Sequence, residues 1–235
     1  MTHDMERIVL PELLDVLPPQ DESALRSRRD LRRINAWMRH PRVMARILQK
    51  YLVKQDARHI VELGAGDGHF LLSVAGRLQG EWPGATATLV DRLDALDPQT
   101  REHFNRLGWR VHAEIAEASE WLRQTSPNIT GAVISNLFLH QFQTEQLAEL
   151  LRLAARSSRV VIALEPRRSW LPRLCGRLLW VIGCGPVTCH DGHISVRAGF
   201  SGRELSALWP DKKNWELIER PVDLFSHLFI ARRKD

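Results

Sequence analysis

The spacing of apolar positions changes near residue 58, and that change divides the chain. Up to about residue 55 they recur at helical intervals. Leu31, Ile34, Trp37 and Met38 form one set, and after Pro41 come Val43, Ile47, Leu48 and Leu52. Pro18-Pro19 breaks the earlier stretch. The pattern predicts an N-terminal helical lid over residues 1–55 appended to one α/β domain over residues 56–235. Beyond residue 58, short apolar runs alternate with amphipathic stretches. His59–Leu63, Ala87–Asp91, Trp109–Ala113, Ala132–Ser135 and Val160–Leu164 read as strands. His69–Leu78 places Phe70, Leu71, Val74, Ala75 and Leu78 on one helical face. Thr144–Ala155 does so with Leu147, Leu150, Leu151 and Ala154, with Thr144 placed to cap its start. Such alternation predicts a doubly wound, mostly parallel sheet covered on both faces. Trp215–Pro221 and His227–Arg232 are strand-like runs with only a short turn between them, so they should pair antiparallel. The expectation is a seven-stranded sheet with this last hairpin as its one reversed pair.

Composition narrows the class. The chain has 235 residues, 44% of them hydrophobic, enough for one substantial core. The formal net charge is +5, and arginines are densest at Arg26, Arg28, Arg29, Arg32 and Arg33 and again at Arg39, Arg42 and Arg46. Such a run is most often a solvated helix face, and nucleic-acid binding is the minority expectation. Cys175, Cys184 and Cys189 are three in number, without the spacing of a disulfide framework. The first residues lack the basic-then-apolar order of a secretory signal, and the apolar run at Leu178–Ile182 is too short to span a bilayer. A cytoplasmic setting is the default expectation.

Candidate chemistry is concentrated in Ile60-Val61-Glu62-Leu63-Gly64-Ala65-Gly66-Asp67-Gly68-His69-Phe70. An apolar strand here enters a glycine-rich turn and then a helix. Glycine permits positive φ and lets a ligand approach bare backbone, at the strand end where open α/β sheets bind ligands. A dinucleotide fingerprint is G-x-G-x-x-G, whereas this loop is G-x-G-x-G with Glu62 two residues ahead of the first glycine. That spacing disfavours a nicotinamide dehydrogenase. It resembles motif I of the class I S-adenosylmethionine-dependent methyltransferases. The resemblance implies that Glu62, Gly64, Ala65, Gly66 and Gly68 cup the cofactor's amino acid and sugar, and that Asp91, beside Arg92 after the second strand, holds the ribose. It places Glu117 and Ala118 at the adenine, with Glu114 as an alternative register, and Asn136 beside the methionine part.

Ile134-Ser135-Asn136-Leu137-Phe138-Leu139-His140-Gln141-Phe142 resembles the small-molecule branch of that family. The (Asp/Asn/Ser)-Pro-Pro-(Tyr/Phe) element usual in its DNA-base and protein-glutamine amino-methyltransferases is missing. Cys189-His190-Asp191-Gly192-His193-Ile194-Ser195-Val196-Arg197-Ala198-Gly199-Phe200 is similar to a His-Asp-x-x-x-Ser-Val-Arg-x-x-Phe segment of bacterial enzymes related to the ubiquinone and menaquinone C-methyltransferases. The resemblance implies S-adenosylmethionine as cofactor and a small apolar phenol, quinol or polyketide as acceptor, methylated at oxygen or activated carbon. Methyl transfer from a sulfonium needs mainly proximity and orientation. A phenol also needs a base near neutrality, for which His140, His190 and His193 are candidates and Asp191 a carboxylate alternative. Arg197 could bind an acidic or phenolate oxygen.

Several rival expectations stand beside these. Cys184, Cys189, His190 and His193 offer four zinc-ligand types, but adjacent Cys189 and His190 rarely share one tetrahedral centre, so no metal is expected. The apolar stretch with Trp170, Leu171, Leu174, Leu178, Leu179 and Ile182, interspersed with Arg168, Arg173 and Arg177, could line a pocket, rest on a membrane surface or pack on the core. An RNA methyltransferase would need the Arg-rich helices to form one basic surface leading to the cofactor. A cofactor-binding protein without turnover would share the fold.

Overall fold

The structure is a computed structural model and describes residues 6–52, 59–127, 130–169 and 178–234. Asp21 starts α1 (Glu22–Trp37), its carboxylate accepting the amides of Ser23 and Ala24. The chain reverses at Arg39, held in the left-handed region at φ 56°. Pro41 sits in the first turn of α2 (His40–Tyr51), where no intrahelical donor is needed. Residues 6–20, expected to be helical, are irregular. Pro11, Pro18 and Pro19 interrupt any helical run there, and the segment lies as a strap on later parts of the chain.

The alternating unit follows in order: β1 (His59–Leu63), α3 (His69–Arg77), β2 (Thr86–Asp91), α4 (Pro98–Arg106), β3 (Arg110–Ile115), α5 (Ala118–Gln124), β4 (Thr130–Asn136), a 3-10 turn (Leu139–Gln141), α6 (Thr144–Ser157) and β5 (Ser158–Pro166). Then come α7 (Leu178–Val181), α8 (Pro186–Ala198), α9 (Glu204–Leu208), a 3-10 turn (Lys212–Asn214), β6 (Trp215–Pro221) and β7 (Ser226–Arg233). All seven expected strands form, in the order β3-β2-β1-β4-β5-β7-β6. β7 alone is inverted, so it makes two antiparallel pairs, with β5 and with β6, rather than one. β1 pairs in parallel with both β2 and β4. The strand order therefore switches direction beside β1, which opens a crevice at its carboxyl end.

Alternation along each strand sends side chains to two cores. Ile60 joins Leu71, Val74, Leu78, Phe104 and Trp109 on one face, where Met44 and Leu48 of α2 complete the cluster. Val61 joins Leu147, Leu150, Leu151, Trp209, Trp215 and Phe229 on the other. Gln143, not Thr144, occupies the cap position of α6, with Gln146 Oε1 accepting the Gln143 amide at 3.3 Å. Residues 186–198 are helical: Gly185 and Pro186 open α8 and no further proline interrupts it. Trp170 to Arg177, including Leu171, Arg173, Leu174 and Cys175, lie outside the described residues. Among the described residues no helix is long and apolar enough to cross a membrane.

Phe229 is fully buried on β7 and packs on Trp209 at 5.3 Å between ring centroids. Phe229→Ala should lower unfolding free energy by about 3–5 kcal/mol, as read from urea denaturation midpoints. A loss under about 1 kcal/mol would show that this cluster is not a stabilising core.

Candidate functional site

β1 delivers the chain into a loop built on three left-handed glycines, Gly64 (φ 69°), Gly66 (φ 53°) and Gly68 (φ 74°). Two of them are required by packing. A Cβ at Gly64 would lie 2.2 Å from the Phe138 ring, and one at Gly68 would lie 2.8 Å from Leu89 and 2.9 Å from Leu96. A Cβ at Gly66 would meet nothing within 4 Å, because that residue faces open space. Asp91, at the end of β2, ties the loop down. Its Oδ2 accepts the Gly66 amide at 2.8 Å and its Oδ1 the Leu93 amide at 2.9 Å.

Behind the loop, Glu62 is 2% exposed, and among the described residues its Oε2 has no hydrogen-bond partner. Burial raises its carboxyl well above the usual range, and the nearby Asp67 carboxylate adds to the shift. A buried, unpaired carboxyl is costly, and a cationic donor from a ligand would satisfy it. At the end of β4, Asn136 accepts from His40 Nδ1 at 2.7 Å and donates to Asn35 Oδ1 at 3.0 Å. Burial lowers the His40 pKa and keeps the ring neutral, so Nε2 accepts from Ser226 Oγ at 2.7 Å. These bonds hang α1 over the strand ends.

The loop, the strand ends, α1 and the strap enclose a cavity of about 1110 Å³. That is room for a nucleoside and an acceptor together. Glu62, Gly64, Ala65, Gly66, Asp91, Arg92, Glu117, Ala118 and Asn136 border it. Gly68 lies behind the wall, against Leu89 and Leu96. The Glu117 carboxylate also caps α5, accepting the amides of Ser119 and Glu120 at 2.9 and 3.0 Å. Leu14, Val16, Leu31, Phe138 and Phe142 supply an apolar part of the wall, beside charged residues such as Arg28, Arg32 and Glu145.

The expected bases fall elsewhere. His140 is fully buried between Glu165 Oε2 at 2.8 Å and Glu12 Oε1 at 3.0 Å. Burial alone would lower its pKa, but the two carboxylates outweigh that and raise it to about 10. An imidazolium donating from both nitrogens has no lone pair to accept a proton, so His140 is a clamp and not a base. Asp191 accepts the amides of Leu13 and Leu14 at 2.8 and 3.0 Å, and His190 Nδ1 stands 3.0 Å from it. His193 is exposed, and the Arg197 carbonyl accepts the Ile8 amide at 3.2 Å. None of His140, His190, Asp191, His193 and Arg197 borders the cavity. The helical phase of α8 turns Asp191 toward the strap and His193 to solvent. Cys184 and Cys189 are buried thiols, and among the described residues no three metal-ligating side chains converge.

Asp15 and His69 are among the titratable groups lining the cavity that the sequence pattern did not single out. Asp15, on the strap, is pushed up to about 6 by burial and by the Glu12 carboxylate. His69 is lowered by burial and by Arg32, which itself holds Asp67 at 2.7 and 2.9 Å. Asp15 carries no motif, and only the strap's contacts bring it to the cavity. Arg7 donates to the Ala198 carbonyl at 2.8 Å and to the Phe142 carbonyl at 2.8 Å, and Glu12 reaches His140.

The clamp carries a pH signature. The pKa of His140 rises from 6.5 to about 10 on folding. Its contribution is therefore full below pH 6.5 and is lost as pH climbs through 10. His140→Ala should cost about 3–5 kcal/mol at neutrality by leaving the carboxylates unpaired. The gap in urea midpoint between parent and variant should shrink as pH rises. A gap constant with pH would show that the ring is not protonated.

No family model and no curated protein matches the chain, but solved structures do. An O-methyltransferase family protein from Burkholderia thailandensis aligns with a TM-score of 0.60 at 16% identity, covering 92% of this chain. The alignment covers 62% of that protein, so this chain spans under two thirds of its length. The plantazolicin methyltransferase BpumL, solved in complex with SAH, gives a TM-score of 0.60 at 12% identity over 92% of each chain. A SAM-dependent methyltransferase from Aquifex aeolicus gives 0.54 at 13% identity over 80% of this chain and 88% of its own. At these identities the likeness is one of architecture: the seven-stranded sheet with inverted β7 is the methyltransferase α/β fold.

Proposed function

We propose that the chain is a methyltransferase using S-adenosylmethionine and a small apolar phenolic, quinol or polyketide acceptor, with transfer to oxygen or an activated carbon. The observation that carries this proposal is the buried Glu62 carboxyl, whose Oε2 has no partner among the described residues, beside an open Gly66 and the Asp91 carboxylate, all at the carboxyl ends of β1 and β2. An α-ammonium group would satisfy Glu62, the bare backbone at Gly66 would admit the ligand, and Asp91 would accept ribose hydroxyls. Glu117 and Ala118 would flank the adenine, and Asn136, oriented by His40 and Asn35, would lie beside the methionine part. The bound cofactor would supply an electrophilic methyl on a good leaving group.

The protein's task is then to orient the acceptor and remove its proton. The apolar side chains of Leu14, Val16, Leu31, Phe138 and Phe142 suit a planar, apolar acceptor. Asp15 and His69 are two proton acceptors that border the cavity and that the cofactor reading leaves free. With a pKa of about 6, Asp15 is ionised at neutrality yet more basic than an ordinary carboxylate.

Calorimetric titration with S-adenosylhomocysteine tests the cofactor site. Asp91→Asn should weaken binding about tenfold or more, since one charge-assisted acceptor is lost. Gly66→Ala should abolish uptake by putting a methyl into the cavity while costing about 1 kcal/mol of stability. Parent protein that takes up none at millimolar ligand would overturn the proposal. With a phenolic acceptor, kcat/KM should rise as pH increases through about 6. That limb should vanish in Asp15→Asn; if it persists, another group is the base.

A further inference from the structure

The arginines clustered near the start of the chain are not accounted for by the cavity. α1 shows two sides to different surroundings. Leu31, Arg32 and Asn35 wall the cavity, while Leu25, Arg26, Arg29, Arg33 and Trp37 are exposed. Their spacing sets them in one stripe along the helix. Near one end, Arg26 and Arg33 donate to the carbonyls of Gly183 and Ile182, each at 3.3 Å. Those bonds bring Trp180, Val181 and Ile182 beside the stripe, and these three are 60%, 79% and 54% exposed. At the other end Trp37, itself 67% exposed, meets Phe225 at 5.2 Å between ring centroids, next to exposed Leu224. Beyond lies a groove of about 380 Å³ where Arg39, Arg42 and Arg46 border Met38, Val43 and Val222. Asp223 also borders it, but its carboxylate accepts the amides of Phe225 and Ser226. Among the described residues Arg29, Arg39, Arg42 and Arg46 make no side-chain hydrogen bond or ion pair, while buried Asp30 of α1 pairs with Arg33 at 3.5 Å.

Unpaired guanidiniums interleaved with exposed tryptophan and aliphatic side chains match the chemistry of a lipid headgroup boundary. The cations suit phosphates, tryptophan suits the interface, and Val181 and Ile182 suit the first acyl carbons. A nucleic-acid strand would use the cations but would gain nothing from those aliphatic groups. We infer that this band, running from α7 along α1 to the α2 groove, docks the protein on a bilayer carrying anionic lipids. The cavity would then lie about one helix diameter, ~10 Å, behind the docked face. Docking does not depend on the methyltransferase proposal, since it uses no cavity residue.

The test is co-sedimentation of the full chain with vesicles of phosphatidylglycerol and phosphatidylcholine, against vesicles of phosphatidylcholine alone. Binding to the anionic vesicles only is expected. It should weaken about tenfold or more both in Arg29→Glu/Arg42→Glu and in Val181→Ser/Ile182→Ser, with thermal midpoints unchanged. The inference is overturned by absence of binding to anionic vesicles, or by full binding in the serine variant. Single-stranded RNA bound where vesicles are not would overturn it too. Calorimetry with S-adenosylhomocysteine on the same sample reports on the cofactor separately, so failure of one leaves the other standing.

Discussion

The wall of the cavity depends on a buried charge triad, Glu12, His140 and Glu165. Two carboxylates and one ring held away from water would be costly on Coulombic grounds alone. Here every partner is satisfied. His140 donates to both carboxylates, and Glu165 also accepts the amides of Phe138 and Leu139. The triad therefore does two jobs with one set of bonds. It fixes the turn after β4 in the shape that seats Phe138 on Gly64, and it pins the strap that carries Leu14, Asp15 and Val16 to the cavity.

The loop after β1 shows the opposite economy. Gly64 and Gly68 are dictated by neighbours that leave no space for a side chain, whereas a side chain at Gly66 would meet no protein atom and Glu62 is left with an unpartnered oxygen. A core selected for stability alone would fill such a gap and pair such a group. Local rules of folding are commonly broken where a ligand completes the structure, and both breaches occur within one loop.

Much of this architecture is legible in the sequence. β1 matches its apolar run residue for residue, and α3 follows its periodic face to within one residue. Such elements are specified by local pattern, and the glycine spacing locates the loop because φ is a local property. The active groups are less legible. His140 sits in a suggestive motif, yet its partner Glu12 is 128 residues away, and that contact makes it a cation. Asp191 and His193 look alike in sequence, but α8 directs them to different surroundings because two residues span about 200° of helix. The antiparallel pairing of the last two strands follows from the short turn between them, but the placement of β7 between β5 and β6 is a matter of sheet order that no local pattern records.

The strap has a temporal consequence. Arg7 grips the carbonyl of Ala198, 191 residues later, and the amides of Leu13 and Leu14 wait for Asp191. During synthesis this segment precedes its partners by more than 170 residues, so it is among the last to find its place. The sheet, whose parallel pairs join nearer segments, can assemble before its front wall exists. A nascent or truncated chain would thus show the glycine loop to solvent on an otherwise ordered sheet, and competence would arrive in a single late step.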